Sequence, residues 1–95
     1  MHNTTGMQTW HLVIPNPRGL HAETCARIVR IAERCRCNLS LVAKGRRINA
    51  RNIVAVMLLT ASMGVTVRIE ASGPDEEVAI REIATLFRDG SGERR

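Results

Sequence analysis

Aromatic residues are scarce in this sequence: Trp10 and Phe87 are the only two among 95 residues, and tyrosine is missing. Proteins that bind single-stranded nucleic acid stack the bases on several exposed aromatic side chains. The net charge of +5, from 14 Lys and Arg against 9 Asp and Glu, therefore indicates attraction to anions such as acidic protein partners. It does not indicate nucleic-acid binding, and a basic RNA-binding domain would rest on the charge alone.

Long hydrophobic runs are missing as well. The longest spans residues 53–59 and is too short to cross a bilayer. The first residues also lack the basic stretch and apolar core of a secretory signal. We therefore expect a cytoplasmic protein with no direct membrane insertion.

Cysteine is rare and odd in number, with Cys25, Cys35 and Cys37 as the three thiols. A disulfide framework normally needs an even count in a secreted chain. The pair Cys35 and Cys37 lacks a second ligand pair at the spacing that zinc requires. We expect two small buried thiols, one exposed thiol, no metal site and no cofactor.

The length allows one domain, residues 1–95, with a structured core at about 7–89 and flexible tails at 1–6 and 90–95. Apolar residues alternate in four segments, which predicts strands, and recur every three to four residues in two segments, which predicts helices. A cap at Asn52 before good helix formers predicts a third, short helix. The strands fall at 8–14, 38–43, 46–50 and 65–70, and the helices begin at Ala22, Ile53 and Pro74. This order predicts an α+β open-faced β-sandwich, a four-stranded, mostly antiparallel sheet covered on one face by three helices.

His21 stands at the predicted start of the first helix, where Ser, Thr, Asp or Asn is usual. Free N–H groups and the positive end of the helix dipole favour a neutral imidazole there and attract an anion. A phosphoryl group on the ring would face those N–H donors, and a neutral imidazole is a nucleophile. One interpretation is that His21 is transiently phosphorylated, with Arg18 and Arg27 near enough in sequence to bind the anion. The alternative is that His21 is a surface histidine that merely begins a helix.

The apolar run from Ile53 to Leu59 is the second feature, because Asn52 before it can cap a short helix. A helix cannot turn so many consecutive apolar residues into one core. We expect Ile53, Val54 and Met57 to be exposed as a docking patch, and Val56 and Leu59 to be buried. A buried strand is the alternative. Most of the arginines are expected to form a solvated face.

Residues 16–22, Asn-Pro-Arg-Gly-Leu-His-Ala, resemble the active-site region of the HPr family, the histidine-containing phosphocarriers of the bacterial phosphoenolpyruvate-dependent phosphotransferase system. The resemblance extends in length and element order over residues 9–88. It implies that His21 accepts a phosphoryl group from enzyme I and passes it to downstream proteins of the system, so the protein is a carrier and not an enzyme. It also implies docking through Leu20 and the patch at Ile53, Val54 and Met57. A monomer is the natural expectation for such a shuttle.

Three positions depart from the family pattern. Glu23 stands where the family usually has an arginine that contacts the phosphoryl group, and Thr24 stands at the position of a proline. Asn52 replaces a serine that is phosphorylated in many relatives, so regulation by a serine kinase is not expected. The phosphate site would then consist of Arg18, Ala22, Arg27 and the unusual Glu23. The alternative is a regulatory protein-binding module that keeps the fold and does not relay phosphate.

Overall fold

A computed structural model describes residues 7–14, 22–61 and 65–88. The elements occur in the predicted order. They are strands β1 (Gln8–Val13), β2 (Asn38–Ala43), β3 (Arg46–Asn49) and β4 (Thr66–Ser72), and helices α1 (Ala22–Arg34), α2 (Ile53–Leu59) and α3 (Glu76–Arg88). Helix α3 begins at Glu76 and not at Pro74, because the Glu76 amide donates to the Gly73 carbonyl at 3.1 Å and closes a turn around Pro74. No helix within these ranges is long and apolar enough to cross a membrane.

The four strands form one sheet in the order β1-β4-β2-β3, and all neighbouring strands are antiparallel. Successive side chains of a strand point to opposite faces. In β4, Val67, Ile69 and Ala71 are fully buried. The predicted α+β open-faced sandwich is confirmed, with three helices on one face of the sheet.

The core lies between the sheet and the helices. Leu41 and Ile69 enter it from the sheet, and Ile28, Val56 and Ile83 enter it from α1, α2 and α3, all with 1% exposure or less. Burial of side chains of this size contributes about 1.5–3 kcal/mol each. The apolar stripes that the sequence predicts thus meet in one core.

A tight hairpin joins β2 to β3. Lys44 and Gly45 have φ angles of 53° and 75°, both in the left-handed region that a two-residue type I′ turn requires. Glycine adopts this conformation without steric cost, whereas lysine at Lys44 costs about 1–2 kcal/mol. The turn fixes the register in which Leu41 lies opposite Ile48.

The prediction of three thiols is wrong for two of the cysteines. Cys35 and Cys37 form a disulfide, and both are buried, including the one expected to be exposed. The chain bends between α1 and β2 and brings their Cα atoms within 5.3 Å, a separation that a disulfide can bridge. Cys25 is buried as a thiol, with its Sγ 3.7 Å from the Thr60 Oγ1.

The open face of the sheet also differs from expectation at one residue. The alternation in β4 predicts a solvated Glu70, yet this residue is only 3% exposed. Arg47 and Arg68 cover it and bind its two carboxylate oxygens. These hydrogen bonds hold the pKa of the Glu70 carboxyl below its usual value, and the bond from Arg47 has the larger effect.

Candidate functional site

The N-terminus of α1 lies at the residue that sequence reasoning selects. Helix α1 begins at Ala22, which directly follows His21 in the chain. The first N–H groups of a helix lack intrahelical acceptors, and the macrodipole makes this end positive. His21, Arg18 and Leu20 lie outside the described residues. Ala22, which the sequence places on the apolar stripe, is exposed.

An ion pair covers the first turn of α1. The Arg27 guanidinium donates to a Glu23 carboxylate oxygen at 2.9 Å, with 71% of the Glu23 side chain and 38% of the Arg27 side chain exposed. Residues four apart on a helix are neighbours, which explains the contact. The pair places a cation beside the carboxylate that departs from the family pattern, so the first two turns of α1 carry balanced charge.

Asn52 caps helix α2 as predicted. Its side-chain oxygen accepts a hydrogen bond from the Ala55 N–H at 3.0 Å. The Asn52 backbone is extended, the usual conformation at an N-cap. Since the helix has only seven residues, this bond satisfies a large share of the N–H groups that its first turn leaves without partners.

The two sides of α2 divide as the sequence predicts. Val56 and Leu59 are buried, whereas Ile53, Val54 and Met57 are 38%, 62% and 41% exposed. Leu58 is 71% exposed and belongs to the same surface. The exposure of Leu58 was not predicted, because in a run of seven consecutive apolar residues the pattern does not show which side of the helix the last residues face.

A groove runs along this helix on the side of β3. It has a volume of about 250 Å³ and is lined by both polar and apolar residues, among them Arg46, Ile48, Asn52, Val54 and Leu58. On the other side, the contact between Cys25 and Thr60 brings the C-terminal end of α2 against the first turns of α1. We call the exposed residues Ile53, Val54, Met57 and Leu58 the docking face.

Several arginines that could bind anions are engaged elsewhere. Arg34 pairs with Glu82 of α3 at 2.7 Å, and Arg47 pairs with Glu70. Arg51 donates to the carbonyl oxygens of Cys35 and Cys37 at 3.3 and 3.5 Å. These three side chains therefore have structural partners. The docking face can be explained without any of the three.

Inside the first turn of α1, Thr24 occupies the position where the family has proline. It is fully buried, and its hydroxyl has no hydrogen-bond partner among the described residues. Local periodicity does not predict this burial, because Thr24 lies next to the exposed Glu23 and outside the apolar spacing.

Fold and site together define a small α+β domain that presents an exposed apolar helix surface beside the N-terminus of a longer helix. A family model described as the PTS HPr component phosphorylation site matches residues 9–89. Phosphocarrier protein HPr of Xylella fastidiosa (strain 9a5c) is 40% identical over 76 residues, which cover 80% of this chain and 85% of that protein. HPr of Cupriavidus necator is 35% identical, and the match covers 84% of this chain and 90% of that protein.

The solved structures agree with the sequence relatives. The crystal structure of HPr-C-His from Thermoanaerobacter tengcongensis superposes with a TM-score of 0.80 at 31% identity. The match covers 93% of this chain and 99% of that one. The chain belongs to the HPr family, the phosphocarriers of the phosphotransferase system.

Proposed function

We propose that this protein relays a phosphoryl group through a phosphohistidine at His21. A ring nitrogen of His21 attacks the phosphoryl group carried by enzyme I, which received it from phosphoenolpyruvate. The N–P bond forms as the bond to enzyme I breaks, and a downstream protein of the phosphotransferase system later takes the group. The start of α1 at Ala22, directly after His21, is the observation that supports this most strongly, because helix N-terminal N–H groups bind phosphate.

The charges around the first turn bear on how well the group is held. A carboxylate close to a phosphoryl dianion is repulsive, and Glu23 removes the donor that the family usually has there. The ion pair with Arg27 offsets the charge of Glu23. We propose that Arg27, with Arg18 from the preceding segment, supplies the charge-assisted bonds to the phosphoryl oxygens.

The docking face gives the carrier its partners. Exposed apolar residues that cluster on one helix are typical of a protein-binding site. We propose that enzyme I and the downstream proteins dock in turn on Ile53, Val54 and Met57, together with Leu20 and Leu58. Relay between such partners in the cytoplasm requires no membrane insertion and suits a monomer.

Intact mass after incubation with phosphoenolpyruvate, magnesium and enzyme I of the same organism tests the relay. We expect one added phosphoryl group that acid removes. His21→Ala should abolish the addition, while the matched variant His11→Ala, which alters an exposed histidine of β1, should keep it. Uptake by His21→Ala would contradict the assignment of the acceptor.

Glu23→Arg tests the unusual carboxylate. We expect faster phosphorylation or a longer-lived phosphorylated form, because a donor replaces a repulsive charge. A slower reaction would show that Glu23 assists transfer. If the wild type binds enzyme I but never gains mass, the protein is a regulatory binding module on the same fold.

Docking can be tested apart from transfer. Val54→Asp should weaken binding to enzyme I by about tenfold or more, since the loss of an interface hot spot costs about 2 kcal/mol or more and about 1.4 kcal/mol corresponds to tenfold. The matched control is Val78→Asp on α3, a residue that is also exposed, at 46%. Equal losses in the two variants would place docking elsewhere.

A further inference from the structure

The disulfide between Cys35 and Cys37 has no part in the relay. It closes the bend between α1 and β2, with a single residue, Arg36, between the two cysteines. In reducing compartments such as the one proposed here, disulfides are usually transient, catalytic or redox-sensing. A buried pair of this kind in a phosphocarrier therefore calls for a chemical role.

The backbone of this bend is held from the side of α3. The Arg36 N–H donates to the Asp75 carboxylate at 2.8 Å, and the Asp75 N–H donates to the Arg36 carbonyl at 3.2 Å. Gly73 packs so closely that a Cβ there would lie 2.7 Å from the Cys37 Cα. These contacts do not involve the sulfur atoms, so they can keep the two cysteines close in the dithiol as well as in the disulfide.

The surroundings of the sulfur atoms favour exchange. The Arg51 guanidinium lies beside the bend, 3.3 Å from the Cys35 carbonyl oxygen, and a nearby positive charge stabilises a cysteine thiolate. The nearby carboxylates of Asp75 and Glu82 are bound to Arg36 and Arg34. Cys35 also lines a small surface pocket of about 60 Å³ between α1 and α3, so the buried pair lies close to the surface.

Arg51 connects the bend to the docking face. Its guanidinium binds the carbonyl oxygens of both Cys35 and Cys37. The next residue, Asn52, caps α2 through the Ala55 N–H. A shift of the two carbonyl groups therefore displaces Arg51, which directly precedes the capping residue Asn52.

We propose that Cys35 and Cys37 form a reversible thiol–disulfide site whose oxidation state adjusts the docking face through Arg51. In the oxidising direction, the two thiols react with a small-molecule disulfide such as oxidised glutathione. One disulfide forms within the chain, and two molecules of the small thiol leave with the two electrons and two protons. The redox exchange stands by itself, whereas its consequence for partners rests on the proposed docking.

A redox titration of the full chain tests the exchange. The protein is equilibrated at a series of ratios of reduced to oxidised glutathione, then unfolded and alkylated. We expect the number of alkylated cysteines to change reversibly between one, at Cys25, and all three. Cys37→Ser should show two alkylated thiols under reducing conditions and no internal disulfide at any ratio.

A pair that stays oxidised at every ratio until the protein unfolds would be a structural cross-link and would overturn the proposal. A pair that never oxidises would overturn it equally. Neither result depends on whether His21 takes up phosphate, so failure of the relay and failure of the redox site are distinguishable.

Hydrogen exchange at the Ala55 amide tests the connection to α2 without any partner. We expect slower exchange in the oxidised form and about fivefold tighter binding to enzyme I, at the low end of coupling between sites in one protein. Arg51→Gln should still titrate reversibly, at a shifted ratio of reduced to oxidised glutathione because a positive charge beside the pair is removed, and it should lose both differences between the redox states. Identical exchange of the Ala55 amide in the two redox states of the wild type would refute the connection.

Discussion

Glu70 shows how one buried charge depends on its neighbours. It lies on the face of the sheet that carries no helices, yet the side chains of Arg47 and Arg68 shield it almost fully from solvent. A buried carboxylate is costly unless it is paired and hydrogen-bonded. Both of its oxygens are bonded here, so the cost is offset, and side chains of two strands, β3 and β4, are held in position around one group.

Replacing this carboxylate should lower stability in a pH-dependent way. We expect Glu70→Gln to lose about 1–2 kcal/mol near neutral pH, a value reduced from that of buried pairs because both arginines are half exposed. The folded pKa lies below the ordinary value of 4.5. The stabilisation is therefore complete above that value and is lost as the pH falls through the folded pKa.

Urea unfolding at about pH 7 and about pH 3 measures this difference. The matched variant Glu77→Gln alters an exposed acid of α3 and should change stability by less than about 0.5 kcal/mol at either pH. A Glu70→Gln penalty that is as large in acid as at neutrality would show that packing, and not charge, is responsible.

Sequence reasoning reached some residues and missed others for a physical reason. Asn52 was predictable, because an N-cap acts on amides two or three residues away. The burial of Glu70 and the pairing of Cys35 with Cys37 depend on strand register and on a bend in the chain, and neither is visible in local periodicity. His21 was identified by its position before a helix and by the motif around it, while its contacts lie outside the described residues.

At the scale of single elements, α2 is the one whose stability depends most on its ends. It is only seven residues long, and isolated helices of that length do not form in water. Its C-terminal end is also secured, because the Thr60 hydroxyl donates to the Val56 carbonyl at 2.7 Å. Caps at both ends therefore hold the docking face in helical form.

Asn52→Ala should loosen this element. We expect a loss of about 1 kcal/mol in the free energy of unfolding, from removal of the capping bond. Hydrogen exchange at Ala55 should accelerate, and binding to enzyme I should weaken because the docking face frays. Asn52→Ser is the matched control, since serine also caps, and should stay close to the wild type. Unchanged exchange in Asn52→Ala would show that packing alone sets the helix.

At the scale of the whole molecule, the turn before α3 joins distant parts of the chain. Gly73 adopts a φ of 142° and lies against the backbone of Arg36 and Cys37. Its N–H donates to the Glu76 carboxylate at 3.0 Å. The turn thus fastens the end of β4 to the bend after α1.

Gly73→Ala should destabilise the entire domain. The new Cβ would meet backbone atoms at 2.7 Å, and together with the unfavourable φ this should cost about 2–4 kcal/mol. Gly45→Ala provides the comparison, because its φ is also positive while nothing lies within 4 Å of the added atom. That variant should lose only about 1 kcal/mol. Chemical unfolding of both proteins measures the difference, and equal losses would exclude the steric contribution.

The antiparallel pairing of β1 with β4 has a consequence for the order of events during protein synthesis. In the described sheet, β4 is the only strand bonded to β1, and the two are separated by most of the chain. A ribosome makes the N-terminal part first, so β1 emerges long before its partner exists. His21, which follows β1 in sequence, is therefore made early, and under the proposed relay a nascent chain would accept phosphate only after β4 has been translated.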